Sequence, residues 1–192
     1  IIEKNCTNSI LQKHHALKFH SSLPEYKPTP LIQLTNLSKK YNVGNIYLKD
    51  ESHRFGLNAF KALGASYAMH HTLEKDPTIK TFCTATDGNH GRAVAWSSKK
   101  FGKKSVVFVP ADTTAIRINA IEKEGAQVIQ INGNYDEACQ QAEESSKANN
   151  WTLIQDTAWE GYTEIPALIM SGYLTMFEEL EEQNLHTSIE PE

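Results

Sequence analysis

The sequence predicts an α/β protein in which parallel β-sheets are flanked by α-helices. Short apolar runs alternate along the chain with longer segments whose apolar residues recur at helical spacing. Strands separated by helices of this length are joined by right-handed crossovers, which makes neighbouring strands parallel. The sequence contains no internal repeat and no low-complexity linker that would argue for another architecture.

Proline and helical periodicity define the first elements. An amphipathic helix is predicted at 9–19. Pro28 and Pro30 then favour an extended backbone that leads into a strand at 31–34, because a residue before proline is biased away from the helical conformation. The next predicted elements are a strand at 46–48 and a helix at 59–74.

The rest of the chain alternates between strands and helices. The predicted strands are short apolar runs, at 80–84, 105–109, 127–131 and 152–154. The predicted helices have apolar residues at helical spacing, at 90–101, 114–123, 136–147 and 165–182. This order places a loop of small residues between the strand at 80–84 and the helix at 90–101.

The composition is that of a globular chain and excludes several functional classes. Hydrophobic residues make up 40% and charged residues 22% of the 192 residues, and the net charge is −4. No basic region marks a nucleic-acid binder. No apolar run approaches the roughly 18–20 residues that span a membrane, and the N-terminus has no signal-peptide pattern. We therefore expect a cytoplasmic protein that binds neither nucleic acid nor membrane, and the cysteine and histidine spacing predicts no metal site.

Lys61 and the loop at 86–89 carry the most informative chemistry in the sequence. Pyridoxal phosphate requires an amine for a Schiff base, a donor near its phenolic oxygen, a clamp for its phosphate and a group facing its pyridine nitrogen. Lys61 can supply the amine and Asn89 the donor. Gly88 lets the backbone approach a flat ring where a Cβ would collide with it. The backbone N–H groups at the start of the following helix suit a carboxylate.

Each of these residues also has a purely structural explanation. A single lysine in a helix is most often solvated, and Asp-Gly-Asn is equally common as a plain turn. The combination is more specific than either part, because one predicted helix and one predicted strand separate Lys61 from the loop at 86–89.

A series of motifs occurs along the chain in a recognisable order. They are Tyr-Lys-Pro-Thr-Pro-Leu at 26–31, Lys-Asp-Glu-Ser at 49–52, Arg-Phe-Gly-Leu-Asn-Ala-Phe-Lys at 54–61, Thr-Asp-Gly-Asn-His-Gly-Arg at 86–92 and Gln-Asp-Thr-Ala-Trp-Glu-Gly-Tyr at 155–162. This set resembles the diaminopropionate ammonia-lyases, within the tryptophan-synthase-β-like group (fold type II) of pyridoxal-phosphate enzymes. The resemblance runs from about residue 19 to about residue 175. Serine/threonine dehydratases of the same fold usually have serine at the position of Asp87 and lack the last motif.

The resemblance implies a reaction as well as a fold. The reaction is α,β-elimination of ammonia from 2,3-diaminopropionate, which gives pyruvate and a second ammonia. Lys61 would bind pyridoxal phosphate and then remove the α-proton of the L isomer. Its amine must be neutral for this step, and we expect apolar neighbours such as Phe60 and Leu63 to favour that form. Asp87 would remove the α-proton of the D isomer, which faces the opposite side of the cofactor.

The resemblance also implies residues that recognise a small amino-acid substrate. Asp156 would pair with the second ammonium of the substrate and so exclude serine and threonine. The alternative is that Asp156 only caps the turn after a strand. The predicted substrate-binding residues are Thr86, Asp87, His90, Asp156, Trp159 and Tyr162. Lys49 and Arg54 are either salt-bridge residues or walls of the active site, and both roles stay open.

The fold of this family predicts an uneven division of the chain. Residues 1–61 would begin the larger domain, residues 62–165 would form a smaller mobile domain, and residues 166–192 would return to the larger one. The glycine-rich loop that grips the phosphate in this family is expected beyond residue 192, because the ten glycines include no G-x-G cluster. We therefore expect the N-terminal portion of a homodimeric enzyme of amino-acid catabolism, incomplete at the C-terminus and inactive by itself.

Two other functions stay open at this point. One is a serine/threonine dehydratase or a β-replacement synthase of the same fold, which Asp87 and Asp156 oppose. The other is a non-catalytic half-domain that acts as an interaction module. The presence of Lys61, Asp87 and Asn89 argues against this second function, since an unconstrained remnant has no reason to keep all three.

Overall fold

The computed structural model describes residues 14–185, with side chains described up to residue 183. The strands are β1 (Leu31–Gln33), β2 (Tyr47–Lys49), β3 (Thr81–Ala85), β4 (Lys104–Val109), β5 (Gln127–Gln130) and β6 (Thr152–Leu153). The α-helices are α1 (His15–Ser21), α2 (Thr35–Tyr41), α3 (Lys61–Lys75), α4 (Asn89–Lys100), α5 (Ala115–Glu122), α6 (Tyr135–Asn149) and α7 (Glu164–Leu185). A 3₁₀ helix covers Glu51–Gly56. Residues 9–13 of the helix predicted at 9–19 lie outside the described residues.

Four parallel strands form the main sheet, in the order β5-β4-β3-β6. Cys83 of β3 is paired with Val106 of β4 on one side and with Leu153 of β6 on the other. A helix joins each strand of this sheet to the next in sequence, as parallel crossovers require. The prediction of an α/β protein with a parallel sheet and flanking helices is therefore confirmed.

The first two strands are an exception to the predicted parallel pairing. β1 and β2 form a separate antiparallel pair, in which Ile32 lies opposite Leu48. The sequence pattern does not predict α2, the helix of seven residues between them. Asn42 follows α2 in a left-handed conformation with φ of 50°, which ends the helix and turns the chain back.

Helices cover both faces of the main sheet, because the side chains of each strand alternate between the faces. One face packs against α6, through Cys83, Ala85, Val106, Phe108, Ala138 and Ala142. The other face packs against α4 and α5, through Ala95, Val107, Val109, Ile121 and Ala126. A further apolar cluster joins α3, α4 and α7 around Phe82 and Met69. Burial on both faces explains why the two central strands, β3 and β4, are largely apolar runs.

Helices α3 and α7 pack closely because each has a glycine at the contact. A Cβ on Gly64 would lie 2.6 Å from Cε1 of Tyr173. A Cβ on Gly172 would lie 2.5 Å from the carbonyl oxygen of Leu63. Neither position can accept a larger residue unless a helix or a packed ring moves. The close contact brings Tyr173 beside the first turn of α3, which begins at Lys61.

A buried network of charges joins the segment before α3 to α7. Arg54 is 1% exposed and pairs with Glu179 and with Glu51, each over 2.7 Å. Lys49 Nζ lies 2.7 Å from Oε2 of Glu179, which also accepts a hydrogen bond from the N–H of Thr29. Burial would raise the pKa of Glu179, but its bonds to Arg54 and Lys49 hold that pKa below its usual value. Lys49 and Arg54 are therefore salt-bridge residues and not walls of the active site.

The division of the chain into a larger and a smaller domain stays a prediction. The observed strands and helices lie close to the predicted ones, apart from α2 and the 3₁₀ helix, which the sequence pattern does not predict. From residue 14 to residue 185, no helix combines the length and the apolar character that crossing a membrane requires.

Candidate active site

The predicted motifs converge on one pocket with a volume of about 360 Å³. It lies where the chain leaves the carboxyl ends of β3 and β6 and meets the start of α3. Loops that follow parallel strands leave the sheet at the same edge, which is where α/β proteins bind ligands. The predicted site residues that line the pocket are Lys61, Thr86, Asp87, Gly88, Asn89, His90 and Asp156.

Lys61 and Asp156, which are 95 positions apart in the sequence, form an ion pair in this pocket. Lys61 Nζ donates a hydrogen bond to Asp156 Oδ2 over 2.8 Å, and the two side chains are 30% and 18% exposed. Burial lowers the pKa of Lys61, but the bond to Asp156 outweighs burial and holds the pKa above its usual value. Burial thus acts on Lys61 in the direction expected of apolar neighbours such as Phe60 and Leu63, but a carboxylate that reaches the lysine from a distant loop outweighs it.

His90 adjoins this ion pair, and its own hydrogen bond defines its tautomer. Nε2 lies 2.8 Å from the carbonyl oxygen of Ile154, which can only accept, so Nε2 carries the proton of the neutral ring. Nδ1 is buried, lies 3.6 Å from Asp156 Oδ2 and has no hydrogen-bond partner in the described part of the chain. Burial lowers the pKa of His90, which favours the neutral ring. An imidazole lone pair therefore faces the same space as the carboxylate of Asp156.

The loop at 86–89 is shaped by its own small residues. Thr86 Oγ1 accepts a hydrogen bond from the N–H of Gly88 over 2.9 Å, and Asn89 is the first residue of α4. A Cβ on Gly91 would lie 2.3 Å from Cγ2 of Thr86, so glycine is required where the first turn of α4 packs against this loop. These contacts hold Gly88 and Asn89 in the wall of the pocket.

The walls of the pocket fit pyridoxal phosphate. Lys61 supplies an amine inside the pocket. The side-chain amide of Asn89 is at the wall and makes no hydrogen bond to any other described residue, so it is available to a ligand. The atom nearest to a Cβ on Gly88 would be Nε of Arg117 at 4.0 Å, so this side of the loop is open to a flat ring. Lys61, Asn89 and Gly88 are therefore the residues that could hold the cofactor.

Trp159 and Tyr162 are not among the residues that line this pocket. Their rings stack with centroids 4.2 Å apart. The hydroxyl of Tyr162 donates a hydrogen bond to the carbonyl oxygen of Leu153 and accepts one from the N–H of Gln155, each over 2.9 Å. Tyr162 thus holds the backbone immediately before Asp156. A contact of either ring with the substrate stays a prediction.

Asp87 lies at the exposed edge of the pocket. Its backbone oxygen accepts a hydrogen bond from Nη1 of Arg117 on α5 over 3.0 Å. Arg117 and Arg92 also line the pocket, although the sequence analysis assigned them no role. No local pattern identifies Arg117, because only the packing of α5 beside α4 brings it to the loop.

Tyr135 is another pocket residue that the sequence analysis does not identify. It is the first residue of α6, and its hydroxyl accepts a hydrogen bond from Nε2 of Gln155 over 3.0 Å. A local signal does mark its position, since Asn134 and Glu137 form a capping box that starts α6. The loops that begin helices on this edge of the sheet are the ones that meet the pocket.

Comparison with known proteins gives the family. The family model described as "Pyridoxal-phosphate dependent enzyme" matches residues 23–189. A diaminopropionate ammonia-lyase of Salmonella typhimurium is 43% identical, over 91% of this chain and 48% of that protein. The chain thus spans about half the length of the curated relatives it matches.

Solved structures of an Escherichia coli relative share the fold. Diaminopropionate ammonia lyase in complex with D-serine matches with a TM-score of 0.89 and 39% identity, over 92% of this chain and 50% of that chain. The same enzyme in complex with an aminoacrylate-PLP azomethine matches with a TM-score of 0.88 and 41% identity, over 92% and 49%. These similarities confirm the predicted fold class. The chain belongs to the family of pyridoxal-phosphate dependent enzymes.

Proposed function

We propose that the chain is part of a pyridoxal-phosphate-dependent carbon–nitrogen lyase that eliminates ammonia from 2,3-diaminopropionate. The ion pair of Lys61 and Asp156 carries this proposal, because in it the carboxylate of the pocket already binds an alkylammonium group. The similarity to a diaminopropionate ammonia-lyase at 43% identity supports the same substrate. Pyridoxal phosphate, when bound, supplies the electron sink that makes the α-proton of an amino acid removable.

Lys61 has two tasks in this proposal. It attaches the cofactor, and its Nζ then removes the α-proton of the L isomer, for which the amine must be neutral. Asp156 holds Lys61 in the charged form in the structure. Lys61, once the substrate has freed it from the cofactor as a neutral amine, would therefore stay an effective base only while another cation occupies Asp156. The second ammonium of the substrate is such a cation, so binding of the substrate prepares the base.

Asp156 selects a diamino acid over a hydroxy amino acid. Burial opposes its ionisation, but the ammonium of Lys61 and its hydrogen bond hold the pKa of Asp156 below its usual value. An ammonium on C3 of the substrate neutralises this carboxylate and can also donate to the lone pair of His90 Nδ1. A hydroxyl brings no charge and leaves the carboxylate unpaired. This difference argues against the serine/threonine dehydratase alternative.

Asp87 is proposed as the base for the D isomer. The two enantiomers present the α-proton to opposite faces of a cofactor held in one orientation, so a base other than Lys61 is needed. Asp87 is a carboxylate at the exposed edge of the pocket, and Arg117 holds its backbone. The D-serine in the Escherichia coli structure supports a site that accepts D-amino acids.

The activity belongs, in this proposal, to the complete polypeptide that carries this chain. The chain spans about half the length of its curated relatives, and its glycines include no G-x-G cluster that could clamp a phosphate. We therefore propose that the chain alone is inactive. Several further parts of the proposal rest on the resemblance to the family. They are substrate contacts by Thr86, Trp159 and Tyr162, a mobile domain at 62–165, a homodimer, a cytoplasmic location and a role in amino-acid catabolism.

The test is to supply the complete polypeptide with pyridoxal phosphate and to measure pyruvate or 2-oxobutyrate and ammonia released from D- and L-2,3-diaminopropionate, L-serine and L-threonine. We expect both isomers of diaminopropionate to be good substrates and the hydroxy amino acids to be poor ones. Faster turnover of L-serine would favour a dehydratase. Failure to attach pyridoxal phosphate to Lys61, with no turnover of any substrate, would favour the non-catalytic interaction module.

A further inference from the structure

Tyr173 of α7 stands beside Lys61 and has no task in the function proposed above. Lys61 Nζ lies 5.7 Å from the centroid of the Tyr173 ring and 5.5 Å from that of Phe60. The two rings meet edge to face, with centroids 5.1 Å apart and an angle of 74° between their planes. They form an aromatic wall along the lysine side chain.

Packing at a glycine fixes the position of the Tyr173 ring. Gly64, about one turn after Lys61 on α3, leaves the space that the ring fills, since a Cβ there would lie 2.6 Å from Cε1 of Tyr173. The hydroxyl of Tyr173 is buried and has no hydrogen-bond partner in the described part of the chain. A buried hydroxyl without a partner costs stability, so a partner that forms only in another state of the site would explain it.

Lys61 needs a different partner in each of its protonation states. As an ammonium it can only donate, and Asp156 accepts its hydrogen bond. As a neutral amine it also has a lone pair, to which an ionised carboxylate has no proton to donate. His90 cannot donate to it through Nδ1, because its proton is on Nε2. Tyr173 keeps its phenolic proton at neutral pH, since burial raises the pKa of its hydroxyl.

We propose that Tyr173 is a positioning residue whose hydroxyl donates a hydrogen bond to the neutral amine of Lys61 once another ammonium occupies Asp156. The inference rests on the proposed function, because it explains how Lys61 stays in place as a base after it loses its ion-pair partner. Asp156 then holds the charged form of Lys61 and Tyr173 holds the neutral form. The phenol keeps its proton throughout, so it is not itself a base.

The test measures the pKa of the Lys61 amine in the cofactor-free protein, by competitive acetylation and mass spectrometry of the peptide that contains it. Asp156→Asn should lower that pKa, because it removes the ion pair. Tyr173→Phe in the same background keeps the ring but removes the donor. We therefore expect the pKa of Lys61 to rise again, so that its neutral fraction at a given pH falls about three- to tenfold. Tyr67→Phe, further along α3, is the matched control and should leave Lys61 unchanged.

Two results would overturn the proposal. An unchanged pKa of Lys61 on adding Tyr173→Phe would mean that the ring only packs, and a lower pKa would mean that the hydroxyl accepts a bond from the ammonium. The acetylation measurement does not depend on catalytic turnover. It therefore shows whether Tyr173 donates a hydrogen bond to Lys61 even if the complete enzyme has another substrate. In the complete enzyme, Tyr173→Phe should lower kcat for L-diaminopropionate more than for the D isomer. Equal losses would exclude a role in holding the base.

Discussion

Asp156→Asn in the complete polypeptide tests how the substrate is selected. The amide keeps the shape of the side chain and removes its charge. In the structure Asp156 binds the ammonium of Lys61 over 2.8 Å, and its side chain is only 18% exposed. The geometry for binding an ammonium is therefore in place before the substrate arrives. The substitution should weaken the reaction of a diamino acid without weakening that of a hydroxy amino acid.

Coulomb's law sets the expected size of the effect. Two unit charges about 4 Å apart interact by about 4 kcal/mol at an effective dielectric constant of about 20. Solvent reaches part of this site, which reduces the interaction to about 2–4 kcal/mol. Since about 1.4 kcal/mol is a factor of ten, we expect kcat/KM for diaminopropionate to fall about 30- to 1000-fold.

The assay compares pyruvate release from L-diaminopropionate and from L-serine, each with the unchanged protein and with the variant. Asp156→Asn also frees Lys61 from its ion pair, which favours its neutral form with either substrate, so this effect cannot by itself cause a loss that is confined to diaminopropionate. A large loss with diaminopropionate and a small one with serine supports selection by charge. Equal losses would refute it and would mean that Asp156 acts only on Lys61 or on the turn after β6.

Lys61→Ala should abolish attachment of pyridoxal phosphate, measured by borohydride reduction and mass spectrometry, and turnover of both isomers; a reducible adduct in the variant would exclude Lys61. Asp87→Asn should lower kcat for the D isomer by about 10²–10⁴ and spare the L isomer, whereas equal losses would make Asp87 a ligand instead of a one-sided base. Glu179→Gln leaves Arg54 buried without its main counter-charge and should lower the free energy of unfolding in urea by about 3–5 kcal/mol; a loss below about 1 kcal/mol would contradict the role of the network. The pKa of Asp156 is held below its usual 3.8, so its pair with Lys61 stabilises the fold above that pH and loses this contribution as the pH falls through the lowered pKa. Acid unfolding of the chain and of Asp156→Asn measures this contribution, and coincident curves would contradict it.

Local pattern explains why most of the fold could be predicted. The central strands β3 and β4 are largely apolar runs because both of their faces are buried, and the long helices show apolar residues at helical spacing. The helix α2 and the 3₁₀ helix could not be predicted in this way, because an element of six or seven residues contains too few turns for a periodic pattern. The antiparallel pairing of β1 with β2 depends on the turn that ends α2.

The sequence by itself determined which residue types stand at the start of α3 and on the loop after β3, because the chemistry of an amine, an amide and a glycine is a property of each residue. Only the tertiary structure decided which groups meet. Lys61 pairs with Asp156 across 95 positions and Arg54 with Glu179 across 125. Tyr173 reaches the lysine because two helices pack at glycines. Protonation states and hydrogen-bond partners follow from these contacts, which form only when burial brings distant segments together.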